Sequence, residues 1–469
     1  MNAGSSFPDS LAALFFNHRS AWYGVSRQDS SKHPRLHRHR LKILLCLFYL
    51  CFMCAYLWLK YMDSVKRFAL RLAAAWFILA SGNAGLAQNW VLTGANTNYE
   101  WQSVAGSTNG AKLVAVAFDD GLGDGGPICT STNTGGTWTE TLAPANVSWQ
   151  SVASSADGTR LVAVINQDLS GNPGPIYVST NSGKAWKEIA LALDNWIWVA
   201  SSMNGSNLIA ADSGSGDGLI YSSTNGGNSW KPTTAPSDYW SCVSSSADGS
   251  KLAATDSGFG DGLIYVSTDS GNTWNPTLAP MNPWSCIASS ADGTRLVAAN
   301  SGFGDDLIYV STNSGNSWNP TQAPTNQWSC VASSTDGSRL VAADSGYGDG
   351  LIYLSTNAGA AWNPTGQVGF WNSVASSADG SVLSAVSYPG GVYVLRATPA
   401  LSLARTGTNL LLSWPDLASA TGLVLQQISN LAATNWTAVT TVPGLTNGLY
   451  QAVVPLSPKT NRFYQLASP

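Results

Sequence analysis

Four loops in this chain hold carboxylates and glycines at one fixed spacing, and three of them place an aromatic ring at the tip. They read DSGSGDGLI from Asp212, DSGFGDGLI from Asp256, NSGFGDDLI from Asn300 and DSGYGDGLI from Asp344. The candidate ligand-contacting residues are Asp212, Asp217, Asp256, Phe259, Asp261, Phe303, Asp305, Asp344, Tyr347 and Asp349. An aromatic face stacks on the C–H surface of a sugar, and neighbouring carboxylates accept its hydroxyl protons. Clustered carboxylates and backbone carbonyls also suit Ca²⁺. A third reading is local: each Asp caps its own tight loop and each ring packs on the neighbouring repeat. At the level of sequence the three stay open.

Other chemistries are excluded by residue type. All four His (His18, His33, His37 and His39) precede residue 40, so the body has no imidazole for Ser-His-Asp or Cys-His catalysis or for His-ligated zinc. Residues 1–88 carry 11 Lys+Arg and 3 Asp+Glu, a net charge of +8. Residues 89–469 carry 12 and 24, a net charge of −12. An acidic body repels a phosphate backbone, so no nucleic-acid partner is expected.

The elements that carry these loops recur. One series of Trp (Trp101, Trp149, Trp196, Trp240, Trp284, Trp328, Trp371) opens a unit of about 44 residues such as WSCIASSADGTRLVAA. A second series closes the cluster typified by STDSGNTW. Each unit holds four short runs of β type, and Asp-Gly or Asn-Gly joins the first two, at Asp157-Gly158, Asn204-Gly205, Asp248-Gly249, Asp292-Gly293, Asp336-Gly337 and Asp379-Gly380. These dipeptides suggest a hairpin with both turn residues at positive φ. Four antiparallel strands repeated at this period make β-propeller blades. Seven first strands give seven blades. The last unit lacks a fourth strand, which the segment beginning at Trp90 supplies, closing the ring.

In such a meander the Asp-Gly hairpins and the Trp-closed clusters share one rim. The Asp-Ser-Gly loops share the other with the fourth-to-first connections. Residues before each opening Trp, such as Ser237-Asp238-Tyr239 and Thr325-Asn326-Gln327, differ between repeats and leave room for a specific site there. Cys242, Cys286 and Cys330 fall 44 residues apart, where other units carry Ser103, Ser151, Trp198 and Ser373. They read as small buried thiols rather than disulfide partners.

STNTGGTW, STNSGKAW, STNGGNSW, STDSGNTW, STNSGNSW and STNAGAAW resemble the Asp-box (S-x-D-x-G-x-x-W), the bacterial neuraminidase repeat. Its members include sialidases, some endoglucanase-type glycoside hydrolases, sortilin-like receptors and photosystem II assembly-factor-like propellers. The resemblance implies scaffold roles for Asn133, Trp138, Asn181, Trp186, Asn225, Trp230, Asp269, Trp274, Asn313, Trp318, Asn357 and Trp362. A sialidase of this fold also uses an Arg triad. Here Arg160, Arg295 and Arg339 follow the Asp-Gly hairpins and Arg396 follows the final strand, away from the Asp-Ser-Gly rim. No catalytic residue is assigned.

The chain thus reads as all-β: a seven-bladed β-propeller closed by an N-terminal strand over residues 88–396, then a small β-sandwich over 397–469. The latter resembles a fibronectin type III-like module. Residues 1–61 form a basic and apolar extension with an uncharged run at 43–59, either a transmembrane segment or an overextended start. Residues 62–87 have the basic, apolar and small-residue order of a signal peptide. The expected product is a secreted or cell-surface monomer, membrane-bound only if the apolar segment is retained. It binds an extracellular glycan or protein without catalysis and without a cofactor, Ca²⁺ being the alternative. The runner-up is a glycoside hydrolase with paired Asp carboxylates.

Overall fold

A computed structural model describes residues 90–469 apart from 169–171, 215, 216, 259, 260, 303–305, 347, 398, 400, 416–422, 430–434, 447, 448, 456–461, 468 and 469. The chain divides into Met1–Asn83 and Ala84–Pro469. The apolar run at 43–59 and the signal-type segment at 62–87 lie outside the described residues. Among the described residues no helix is long and apolar enough to cross a membrane.

Seven four-stranded antiparallel sheets follow one another along the chain. In the fourth blade the strands are Trp240–Ser245, Leu252–Asp256, Ile264–Ser267 and Asn275–Pro276. The outermost strand is only two residues long and ends in proline here and in the third and fifth blades. Proline has no N–H to offer a further strand, so these edges are closed to pairing. The ring closes as expected: Val91 and Leu92 pair with Val394 and Tyr393, making the N-terminal strand the fourth strand of the seventh blade. Trp90 tucks beside Trp371 and donates its indole N–H to Thr365 Oγ1 at 2.9 Å.

Outside the second blade, each second strand is mainly apolar and buried on both faces, as strands packed between two neighbouring blades must be. The seven opening Trp are at most 1% exposed. Six of them meet a Tyr of the same blade edge-on, with centroids 5.2–5.5 Å apart, as in Trp284–Tyr309 and Trp371–Tyr393. Truncating a buried aromatic of this size costs about 3–5 kcal/mol, so this layer carries much of the inter-blade packing.

The first-to-second hairpins depart from expectation. Only the glycine adopts positive φ (Gly158 at 67°, Gly293 at 66°), so the turn is not the predicted type. Ser155 N bonds Arg160 O at 2.8 Å and Gly158 N bonds Ser155 O at 3.0 Å, which makes a four-residue loop. Asp157 holds it by accepting from Thr159 N (2.9 Å) and Ser155 Oγ (2.6 Å), a side-chain job that a two-residue turn would not need. A seventh hairpin of this kind sits at Asn109-Gly110.

Two axial belts tie the inner strands together. In the first, the residue before each turn donates its N–H to the equivalent residue of the next blade. Thr108, Ala156, Met203, Ala247, Ala291, Thr335 and Ala378 form a closed cycle of seven bonds at 2.7–2.8 Å. In the second, a small side chain on an inner strand accepts an amide from the next: Val152 N to Ser103 Oγ, Val199 N to Ser151 Oγ and Ile287 N to Cys242 Sγ. The thiols are free and buried, as expected. Ser and Cys both fit because both are small and able to hydrogen-bond.

The C-terminal residues form a four-stranded sheet and a three-stranded sheet. Leu412, Trp414, Ala452 and Val454 of the first enclose a core with Leu425, Tyr464 and Leu466 of the second, the face-to-face packing of a sandwich.

Candidate functional site

One rim is built from local hydrogen bonds. In each Trp-closed turn a Ser hydroxyl accepts the glycine N–H and donates to the Asn or Asp two residues on. Ser131 Oγ thus lies 2.9 Å from Gly135 N and 3.0 Å from Asn133 Oδ1. Oδ1 then accepts the N–H before the Trp, as in Thr137 N to Asn133 and Thr273 N to Asp269, both 2.8 Å. Asn and Asp exchange freely because either supplies that acceptor. The remaining atom donates to a neighbouring hydroxyl from Asn133 and accepts one at Asp269. The same geometry recurs at Asn181, Asn225, Asn313 and Asn357. Trp138, Trp186, Trp230, Trp274, Trp318 and Trp362 are half-buried over their turns. Trp138 and Trp318 reach Thr93 and Thr277, directly after the fourth strands of the preceding blades.

The residue before the turn glycine also adopts positive φ: Thr134, Ser182, Ser270, Ser314 and Ala358, at 54–61°. Its amide bonds the neighbouring hairpin, as in Ser270 N to Ser250 O at 2.9 Å, which places both loop types on one rim. The periodicity does not reveal this strain.

The opposite rim carries the candidate residues. Asp212, Asp256 and Asp344 end their second strands at 5%, 5% and 0% exposure. Each caps its own loop, accepting from Gly214 N (3.0 Å), Gly258 N (2.8 Å) and Gly346 N (3.0 Å). Asp217, Asp261 and Asp349 stand exposed in those loops. Phe259, Phe303, Asp305 and Tyr347 lie outside the described residues. Phe118, Phe370 and Tyr388 of this rim, which the repeat did not single out, are exposed, and Tyr239 of the variable segment is half-buried.

Burial pushes the Asp212 carboxyl up to about 6, aided by the hydrogen bond its protonated form donates to Asp194 at the end of the preceding blade's fourth strand. Asp256 is likewise pushed up to about 6 by burial, next to Asp238. A hydrogen bond to Glu100 raises the Tyr388 hydroxyl.

Charge is segregated between the rims. Among the described residues, the loops and strand ends of the Asp-Ser-Gly rim hold thirteen carboxylates and no Lys or Arg. All nine Lys and Arg between residues 90 and 396 sit at the other rim, where Arg160, Arg295 and Arg339 directly follow the hairpins. The Arg positions expected from sequence are therefore observed, and among the described residues between 90 and 396 no guanidinium lies at the acidic rim.

At the centre of the acidic rim a funnel of about 440 Å³ opens on the axis. Its wall takes one residue from every blade, each directly after an opening Trp: Gln102, Gln150, Ile197, Ser241, Ser285, Ser329 and Asn372. Trp198, Tyr239, Trp240, Ser213, Gly214 and Ser257 complete it. The three Ser hydroxyls donate to carbonyls of their own blades and Asn372 Nδ2 donates to Trp101 O at 2.8 Å. Trp198 stands where other blades have Ser or Cys and contributes an aromatic face. Sequence reasoning missed this ring. Its signal was the position directly after each opening Trp, which is Gln in two blades, Ser in three, and Ile and Asn in the others.

No family model matches the sequence, and no curated protein matches it. Among solved structures, the chain is similar to YCF48 bound to D1 peptide, at 14% identity over 66% of this chain and 96% of that one, with a TM-score of 0.49. It is also similar to a GH74 xyloglucanase from Xanthomonas campestris, at 14% identity over 70% of this chain and 59% of that one, with a TM-score of 0.52. The xyloglucanase likeness is one of fold, and with the seven sheets closed by Val91 and Leu92 it establishes a seven-bladed β-propeller followed by a small all-β unit.

Proposed function

We propose that the protein is an exported, non-catalytic binding propeller of the Asp-box type. Its axial funnel receives part of an extracellular carbohydrate or protein partner, and a fibronectin type III-like module follows at the C-terminus. The observation that carries this reading is the funnel: seven blades converge on it, and its wall joins amides, hydroxyls and aromatic faces without an ionisable acid/base pair. Such a concave, mixed surface fits recognition. Export rests on the signal-type sequence at 62–87.

The hydrolase reading has one observation in its favour, the two carboxyl pairs with a member raised to about 6. Those carboxyls hydrogen-bond each other directly. Glycosidase pairs stand about 5–9.5 Å apart so that a sugar fits between them. Asp212 and Asp256 also spend an oxygen on their own loops. Binding fits this geometry better than turnover.

The test measures binding and turnover together. The exported protein is titrated calorimetrically with neutral oligosaccharides and with peptides, with and without chelator, and product formation is followed in parallel. Binding that a Gln102→Ala/Gln150→Ala variant loses while keeping its fold supports the reading. Polysaccharide turnover abolished by Asp217→Asn, Asp261→Asn or Asp349→Asn overturns it. Loss of binding and of thermal stability on chelation alone makes Ca²⁺ the ligand of these loops.

A further inference from the structure

Resting on the reading of the funnel as a binding site, the geometry points to its partner class: a protein segment rich in Lys or Arg, with a cationic side chain inserted along the axis. The funnel wall itself is uncharged, so it imposes no ion pair and leaves oxygens and π faces to meet an incoming cation. The Gln102 and Gln150 side chains are half-buried and line it, and their carbonyl oxygens can accept from ammonium or guanidinium N–H groups. Trp198 lines the same space, and a cation over an indole face is attracted by the ring quadrupole.

The mouth supplies the long-range field. Ser213, Ser257 and Tyr239 of the wall directly adjoin Asp212, Asp256 and Asp238. They belong to a rim of thirteen described carboxylates with no Lys or Arg to offset them. A cleft lined by one sign of charge concentrates counter-charged partners and speeds their arrival. An anionic partner would be repelled, and a neutral sugar would make no use of the segregation. The volume of about 440 Å³ lies within the range of ordinary ligand sites and accommodates extended side chains rather than a folded domain.

The test uses the exported protein and three probes: a labelled peptide of alternating Arg and Gly, its Glu-Gly counterpart, and cellohexaose. The Arg-Gly peptide is expected to bind at 50 mM salt and to weaken about tenfold or more at 300 mM, while the Glu-Gly peptide stays unbound. Ser285→Trp, which fills the funnel, and separately Asp217→Asn/Asp261→Asn/Asp349→Asn, which neutralises exposed mouth residues, should each weaken Arg-Gly binding about tenfold. Arg160→Ala/Arg295→Ala/Arg339→Ala on the opposite rim should leave it unchanged. Gln102→Ala/Gln150→Ala provides a second funnel variant should Ser285→Trp disturb the near-ultraviolet dichroism. Absence of Arg-Gly binding at low salt, or binding that survives both funnel variants, overturns the inference. Cellohexaose binding blocked by the same funnel variants, without Arg-Gly binding, would leave the binding-propeller reading standing and remove only the cationic partner.

Discussion

The amide of Ala378 donates to the carbonyl of Thr108 at 2.7 Å, a backbone bond that joins the last blade to the first at the axis. It completes the seven-membered backbone cycle, while Val91 and Leu92 close the same ring from the outside through Val394 and Tyr393. Closure is thus made twice, once by inner hairpins and once by an outer strand.

Because the outer closure is short, its anchor should matter. Trp90 is 7% exposed, contacts Trp371 and donates to Thr365. Trp90→Ala is expected to cost about 3–5 kcal/mol, within the range for truncating a buried aromatic. Denaturant unfolding of wild type and variant measures it. A loss below about 1 kcal/mol would show that the inner cycle alone holds the ring.

Strain in the Trp-closed turns can be relieved. Thr134 is β-branched and holds φ of 54°, a region costing L-residues about 1–2 kcal/mol. Thr134→Gly should therefore stabilise the protein by about 0.5–1 kcal/mol, part of the relief being offset by glycine's added freedom when unfolded. The opposite substitution, Gly271→Ala, meets both a φ of 86° and Thr233 Cγ2 at 3.0 Å from the new Cβ, and should destabilise. Opposite-signed shifts in melting temperature are the expected readout.

Stability should peak near pH 4. Asp157, Asp248 and Asp292 are lowered to about 2, first by hydrogen bonds from Ser155, Ser246 and Ser290. Their contribution is present above the ordinary carboxylate value and is lost as pH falls from about 4 toward 2. Asp212 and Asp256 are pushed the other way, to about 6, first by burial. Their contribution is full below about 4 and is lost as pH rises through 6. Asp212→Asn/Asp256→Asn should flatten the stability profile between pH 4 and 6 and leave the acid limb intact. An unchanged slope between pH 4 and 6 would refute the assignment.

The propeller thiols should be inert until the fold opens. Cys242, Cys286 and Cys330 are at most 1% exposed, with Sγ atoms 3.5 and 3.6 Å apart along the series, and Cys129 is pushed up to about 12 by burial. Alkylation mapped by mass spectrometry should miss these four in the native protein and reach them all in denaturant. Cys242→Ser should cost little, since Ser103 and Ser151 already accept the same inter-blade amide.

What the sequence determined by itself was whatever rests on local physics. The 44-residue period, the alternation inside each strand and the Asn/Asp-Gly turns are near-neighbour preferences, so blade number, strand order, the closing strand at Trp90 and the sharing of rims were all legible. The turn type at Asp157-Gly158 was not, because its side chain bonds Thr159 in a way that the dipeptide alone does not specify. The sequence also marked Asp212, Asp256 and Asp344 but could not distinguish an Asp facing a ligand from one capping the next glycine. Strand-end burial decided that their oxygens turn inward. The axial belts and the funnel were invisible for a deeper reason. Gln102, Gln150, Ile197 and Asn372 are scattered along the chain, and only closure of seven twisted sheets brings the residue after every opening Trp onto one axis. The sorting of nine cations to one rim, by contrast, follows from the strand order inside each blade and was legible for the Arg positions.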